Sequence, residues 1–235
     1  MADNPSISLV FPAYNEASNL PTLISAAFIN ASKITTDFEV IIVNDGSQDN
    51  TIEILDELRG KFGERLVVFN FKPNKGYAFA LRTGFLKAKK DLIFYSDSDN
   101  QFDLSEIPLL LKYYKENDIV IGYRKDRQDN FLRLFVSKGY NTLIRLIFGL
   151  KVRDIDCAFK LFKRDVFKKI DIKLEKFLID TEVLVKAKKL GMKIAQVGVS
   201  HLPRLKGSST VRARDVLFTL RGLVKLRKDL KGLNR

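Results

Sequence analysis

The chain has 235 residues, 46% of them hydrophobic and 29% charged, with 13 Gly and 6 Pro. This is enough to bury one large core and too little for two generous ones, and the lack of repeats or Pro/Gly/Ser-rich stretches excludes solenoids and disorder. A single cysteine, Cys157, excludes an intrachain disulfide and CxxC zinc chemistry, while 41 Lys and Arg against 28 Asp and Glu leave a formal charge of +13, which calls for an anionic partner: nucleic acid, a phosphorylated ligand or anionic lipid.

Apolar, β-branched runs of strand length occur at Ile7–Phe11, Phe38–Val43, Leu66–Phe69, Leu92–Tyr95 and Ile119–Ile121. Segments of helical spacing lie between them, at Ala17–Ala31, Asn50–Phe62, Tyr77–Lys89 and Leu104–Lys115, with Asp49 and Asp103 as caps. Strict alternation predicts an α/β fold with a mostly parallel central sheet and helices on both faces. Ligands should then bind at the carboxyl ends of the strands. Further on, the pattern predicts a helix over Phe131–Phe148, an extended piece over Asp156–Phe162, a helix over Leu178–Leu190 and a strand over Ile194–Val199. About 211–230 reads as a basic amphipathic helix, with Val216, Leu217, Leu220, Leu223, Val224 and Leu230 on one side and Arg212, Arg214, Arg221, Lys225, Arg227 and Lys228 supplying the charge. Such a helix either packs on the core or lies on a membrane surface. The whole of 1–235 is expected to form one domain.

The polar motifs follow the strands. Phe11-Pro12-Ala13-Tyr14-Asn15-Glu16 comes after the first, and Asn44-Asp45-Gly46-Ser47-Gln48-Asp49 after the second, where Asp45 could accept hydrogen bonds from a base or ribose. Asn74-Lys75-Gly76-Tyr77 opens a helix with a cation beside it, a place to hold an anion. The fourth strand runs into Ser96-Asp97-Ser98-Asp99-Asn100-Gln101, two carboxylates and an amide oxygen at a strand end. Hard oxygen donors suit Mg²⁺ or Mn²⁺, which completes its shell with water and substrate phosphate, so this spacing implies a metal-bound diphosphate. Each motif alone is equally an ordinary turn or helix cap.

Together with Asp154-Ile155-Asp156-Cys157-Ala158-Phe159-Lys160-Leu161-Phe162, these segments resemble the family 2 glycosyltransferases of GT-A (Rossmann-like) fold, in particular the polyprenyl-phosphate branch typified by dolichol-phosphate mannose synthase. The resemblance covers Ile7 to about Leu226. It implies that Pro12, Tyr14, Glu16, Asp45 and Asp97 line the nucleotide-sugar pocket and that Asp97, Asp99 and Gln101 hold the divalent metal. It also implies phosphate-binding and catalytic roles for Arg124, after the fifth strand, and Arg204, in the later basic loop, with Arg133 a third phosphate ligand.

The implied reaction is inverting transfer of a hexose, mannose or glucose, from a nucleoside diphosphate sugar to a polyprenyl or dolichyl phosphate. A phosphate oxygen is already anionic near neutral pH, so it needs positioning and charge neutralisation more than a base. An alcohol acceptor on a glycan, small molecule or protein is the alternative; it would need a base, for which Asp154, Asp156 and Asp180 are available. His201, the only histidine, and Cys157 read as structural, and the absence of Trp removes the QxxRW signature of processive synthases. Nucleic-acid binding driven by charge ranks low because it leaves the acidic strand end unexplained. The first residues lack a signal-peptide pattern, and no apolar run is long enough to span a bilayer. The expectation is therefore a cytoplasmic protein, peripheral on the cytosolic membrane face through surface helices such as the arginine-studded Phe131–Val136 and Leu143–Phe148, or through a membrane partner protein.

Overall fold

The structure, a computed structural model, describes residues 5–125, 131–176, 178–203 and 214–232, with side chains at 131–136 and 214–217 left aside. In chain order the elements are β1 (Ile7–Ala13), α1 (Leu20–Ile34), β2 (Phe38–Asp45), α2 (Thr51–Phe62), β3 (Leu66–Phe71), α3 (Tyr77–Lys87), β4 (Leu92–Ser96), α4 (Ile107–Leu111), β5 (Ile119–Arg124), α5 (Phe131–Phe148), β6 (Phe159–Lys163), α6 (Val166–Lys169), α7 (Leu178–Lys189), β7 (Ile194–Val199) and α8 (Arg214–Gly232). A seven-stranded sheet runs in the order β3-β2-β1-β4-β6-β5-β7.

The strands β1, β2 and β4 are buried along their whole length, as expected of strands covered on both faces. α1 turns Leu20, Leu23, Ile24, Ala27 and Ala31 inward at helical spacing. It starts three residues later than the periodicity suggests, because Glu16–Asn19 form a turn closed by the Asn19 N–H on the Glu16 carbonyl, and Pro21, which lacks a donor, takes its place at the helix start. α4 is likewise shorter than expected. Pro108 fixes the start of the α-helix, so Leu104–Glu106 form a 3₁₀ turn capped by Asp103, whose side chain accepts the Ser105 N–H.

β6 departs most from simple alternation: it is inserted between β4 and β5, antiparallel to both. Its register puts Lys160 opposite Tyr95, one residue short of the end of β4. α3 lies tight on the sheet, where a Cβ on Gly84 would meet Val10 Cγ1 at 2.3 Å. α8 comes equally close to α7, since a Cβ on Gly222 would meet Leu178 Cδ1 at 2.2 Å. On α8, Leu223 and Leu226 are buried while Leu220 and Val224 stand 46% and 58% exposed, so its apolar residues divide between core and surface. α5 divides in the same way, with Ile144 buried and Leu146 78% exposed. Among the described residues no helix is long and apolar enough to cross a membrane.

Candidate functional site

The carboxyl ends of β1, β2 and β4 meet at one edge, and side-chain bonds lock the loops that leave them. The Asn15 N–H donates to Ser47 Oγ (2.8 Å) while the Gln48 N–H donates to Asn15 Oδ1 (2.7 Å), so the β1–α1 and β2–α2 turns are fastened to each other. Asn15 sits in the left-handed region at φ 56°, a conformation that asparagine tolerates better than most residues. The N-cap of α2 is Asn50 and not Asp49, one residue before it; Asp49 Oδ1 accepts from the Thr51 N–H and hydroxyl, and the other Asp49 oxygen takes the Ala17 N–H. Ser98 Oγ donates to the Pro12 carbonyl at 2.7 Å, joining the acidic loop after β4 to the end of β1. Pro12 is tolerated in a central strand because it lies beyond the last β1 residue paired with β4.

Asp45 is tied to the loop that opens α3. Its carboxylate accepts the Lys75 N–H (2.9 Å) and the Gly76 N–H (2.6 Å), and its own carbonyl accepts from the Asn74 side chain (2.7 Å). The anion held at the start of α3 is thus the protein's own Asp45. The Lys75 ammonium turns away onto the rings of Phe71 and Phe79, 5.4 and 4.7 Å from their centroids. Beside this clasp, between the β2–α2 turn and the β3–α3 loop, lies a cleft of about 660 Å³ whose walls include Ser47, Gln48, Glu53, Lys72 and Asn74. Its lining contains none of Asp45, Asp97 and Asp99. Tyr14 stands 44% exposed at the same edge, and Glu16, half-buried, accepts from the Asn19 amide at 2.5 Å.

In the acidic loop, Asp97 is half-buried and Oδ1 accepts the Tyr77 hydroxyl at 2.8 Å. Burial, reinforced by the neighbouring Asp99 charge, pushes Asp97 up to about 7. The Gln101 side-chain N–H donates to the Leu202 carbonyl (3.1 Å), which leaves Oε1 as the amide atom able to face a cation. Two carboxylates that repel each other beside an amide oxygen are a donor set suited to a hard divalent cation, with substrate oxygens and water completing its shell. Among the described residues no three His, Cys, Asp or Glu side chains form a ready-made cage, so the protein alone offers a partial site.

The carboxylates that could serve as a base separate cleanly. Asp154 binds Arg124 in a two-pronged ion pair, Nε to Oδ2 at 2.7 Å and Nη2 to Oδ1 at 2.8 Å. Arg124, expected to face phosphates, spends these donors on Asp154. Asp180 is held by Lys160 (2.7 Å) and by the Tyr95 hydroxyl. Asp156 alone keeps an oxygen, Oδ1, buried and without a hydrogen bond, and burial next to Asp180 and Asp154 pushes it up to about 7. The Arg133 side chain and all of Arg204 lie outside the described residues. His201 packs its ring edge-on against Phe102, and burial pushes the thiol of Cys157 up, so the latter is an inert core group.

Sequence reasoning missed the layer beneath this edge. Tyr77 reads only as a helix opener and Lys160 only as one residue of the extended piece over Asp156–Phe162, yet Lys160 is fully buried and sits opposite Tyr95. The signal lay in the lysine between Phe159 and Leu161, with Asp180 available elsewhere in the chain to neutralise it.

The sequence model described as Glycosyl transferase family 2 matches residues 8–171. The undecaprenyl-phosphate 4-deoxy-4-formamido-L-arabinose transferase of Pectobacterium atrosepticum is 30% identical over 208 residues, 88% of this chain and 63% of that protein. The dolichyl-phosphate beta-glucosyltransferase of Drosophila melanogaster is 30% identical over 222 residues, 85% of this chain and 68% of that protein. The chain thus spans less than two thirds of the bacterial relative's length. Among solved structures, mannosyl-3-phosphoglycerate synthase from Rubrobacter xylanophilus is similar with a TM-score of 0.74 at 17% identity, covering 98% of this chain and 75% of that one. Glucosyl-3-phosphoglycerate synthase from Mycobacterium tuberculosis, solved with Mn²⁺, uridine diphosphate and glucosyl-3-phosphoglycerate, gives 0.69 at 17% identity, covering 97% and 80%. These likenesses establish a common architecture.

Proposed function

The chain belongs to glycosyl transferase family 2 and carries the GT-A fold, and on that premise we propose that it transfers one hexose, with inversion, from a nucleoside diphosphate sugar to a polyprenyl phosphate. The observation that carries this reading is the pair Asp97 and Asp99 at the open end of β4, fastened through Ser98 to Pro12 and beside the loops of β1 and β2. The lipid acceptor is supported by the likeness to two proteins named for undecaprenyl phosphate and dolichyl phosphate.

In this mechanism Tyr14, Glu16 and the turns fastened around Asp45 form the wall for the nucleotide, and Asp45 shapes that wall through the Lys75 and Gly76 N–H groups. Asp97, Asp99 and Gln101 would hold Mg²⁺ or Mn²⁺, which when bound neutralises the diphosphate leaving group. A phosphate oxygen of the acceptor attacks the anomeric carbon as the bond to the diphosphate breaks; the acceptor oxygen is already anionic, so no proton moves. Arg124 keeps its remaining guanidinium edge for phosphate while Asp154 fixes its plane, and Arg133 and Arg204 complete the proposed acceptor-phosphate set. A peripheral position on the cytosolic membrane face fits the exposed Leu146, Leu220 and Val224 beside arginine and lysine.

A hydroxyl acceptor is the second reading, favoured by the unpartnered Asp156 oxygen, a suitable base with its affinity for protons near neutrality. The test is transfer of labelled sugar from GDP- and UDP-sugars into extractable polyprenyl phosphate with Mn²⁺ or Mg²⁺, and with chelator. Chelator-sensitive label in the lipid phase is expected, and Asp99→Ala should abolish it while the protein stays folded. Label passing only to alcohol acceptors would move the assignment to the second reading, and full activity of Asp99→Ala would remove the metal role.

A further inference from the structure

Beneath the acidic loop lies a buried polar layer inside an otherwise apolar core. Lys160 is wholly buried, and its ammonium donates to the Cys157 carbonyl (2.6 Å), to Asp180 Oδ1 (2.7 Å) and to Tyr95 Oη (3.1 Å), the full complement of three for an ammonium. Tyr95, also fully buried, donates its own proton to Asp180. Tyr77 donates to Asp97 Oδ1 at 2.8 Å, and Tyr95 lies on β4 two residues before that carboxylate.

Four elements contribute: α3 supplies Tyr77, β4 supplies Tyr95, β6 supplies Lys160 and α7 supplies Asp180. A core built for stability alone would place apolar groups here, because replacing a buried ion pair by hydrophobic side chains is often neutral or stabilising. The layer ends at one atom of functional interest, Asp97 Oδ1. A hydroxyl on one oxygen stops the carboxyl group rotating and presents the other oxygen in a fixed direction. Outer partners of this kind commonly set metal affinity by 10–100-fold.

We propose that Tyr77 is a positioning residue for Asp97, and that the buried Lys160–Asp180–Tyr95 cluster fixes the end of β4 from which Asp97 departs, so that cation affinity at the acidic loop is set by residues that touch neither metal nor substrate. This rests on the reading of Asp97 as a metal ligand given above. Geometry requires Tyr77 to act through the carboxylate, since its hydroxyl is spent on Asp97.

The experiment measures Mn²⁺ binding to the full chain by the electron paramagnetic resonance signal of free Mn²⁺, with GDP or UDP present, for the native sequence, Tyr77→Phe and Tyr95→Phe. Nucleotide affinity in chelator and thermal melting are measured alongside. Tyr77→Phe should raise the Mn²⁺ Kd about 10-fold and leave nucleotide affinity in chelator unchanged. Tyr95→Phe should weaken Mn²⁺ several-fold in the same direction, and it decides the matter should Tyr77→Phe fail to fold. An unchanged Mn²⁺ Kd in the variants, or equal loss of Mn²⁺ and metal-free nucleotide binding, overturns the inference and leaves the metal assignment standing. Failure of the native protein to bind Mn²⁺ with either nucleotide overturns both.

Discussion

At the scale of single residues, the proposed nucleotide wall depends on Gly46. It sits at φ 73°, and an added Cβ would meet the Asn74 backbone nitrogen at 2.6 Å, so a side chain there must push the β3–α3 loop away from the Asp45 clasp. Left-handed backbone costs about 1–2 kcal/mol for other residues before any clash. Gly46→Ala should therefore lose at least about 2 kcal/mol by urea denaturation and weaken nucleotide binding. Gly60 makes the contrast: it is exposed in α2 with open space around its Cβ position, and Gly60→Ala should gain about 0.4–1 kcal/mol. Asp97 carries a different signature, in pH. Raised from 3.8 to about 7, it binds a proton in the folded metal-free protein over a range where the unfolded chain has released it. Folding then binds protons, so this group's contribution to stability is present at low pH and declines as pH rises from about 4 through 7. In chelator, the melting temperature of the native sequence should fall more between pH 5.5 and 8 than that of Asp97→Asn. A parallel pH dependence in the two proteins would show that Asp97 is not so perturbed.

At the scale of elements, the first half of the sheet was legible because β1 to β5 are short apolar runs separated by helical spacing, and run length and period are local properties. The direction and place of β6 were not legible. The stretch Phe159–Lys163 carries no local mark of strand direction, and only pairing with Tyr95 and Ile121 from distant segments makes it antiparallel between β4 and β5. The same limit explains the site. The acidic loop and the polar turns could be read from sequence because each follows its own strand. The Asp45 clasp joins residues about thirty apart and the Asp180–Lys160 pair lies on separate elements, so no local pattern names either partner, although a lysine between Phe159 and Leu161 hints at one half of the second pair. The basic helix α8 shows what periodicity leaves open: which apolar residues face in. Leu223 is buried, and Leu223→Ala should cost about 2–5 kcal/mol. Val224, 58% exposed, should tolerate Val224→Glu within about 0.5 kcal/mol while weakening sedimentation with lipid vesicles. Equal stability losses at the two positions would mean that Val224 also faces the core.

At the scale of the whole molecule, the charge of +13 has two physical outlets, and salt separates them. Long-range attraction to an anionic surface is screened as the Debye length shrinks from about 10 Å at 0.1 M to about 3 Å at 1 M. Apolar side chains entering a headgroup boundary are not screened in this way, and the protein exposes Leu146 on α5 and Leu220 and Val224 on α8, which under the proposed membrane role would enter it. A purely electrostatic ligand such as duplex DNA offers no apolar phase, so its binding should fall steeply with salt and vanish. Binding to vesicles that contain anionic lipid should instead fall to a salt-resistant remainder, and a double variant Leu220→Glu, Val224→Glu should remove that remainder while keeping the salt-sensitive part. Vesicle sedimentation from 0.05 to 1 M salt, with DNA binding measured in parallel, checks this. If the vesicle and DNA curves coincide, the positive charge alone accounts for vesicle binding, and the exposed apolar residues of α5 and α8 have no part in bringing the candidate site to the proposed lipid acceptor.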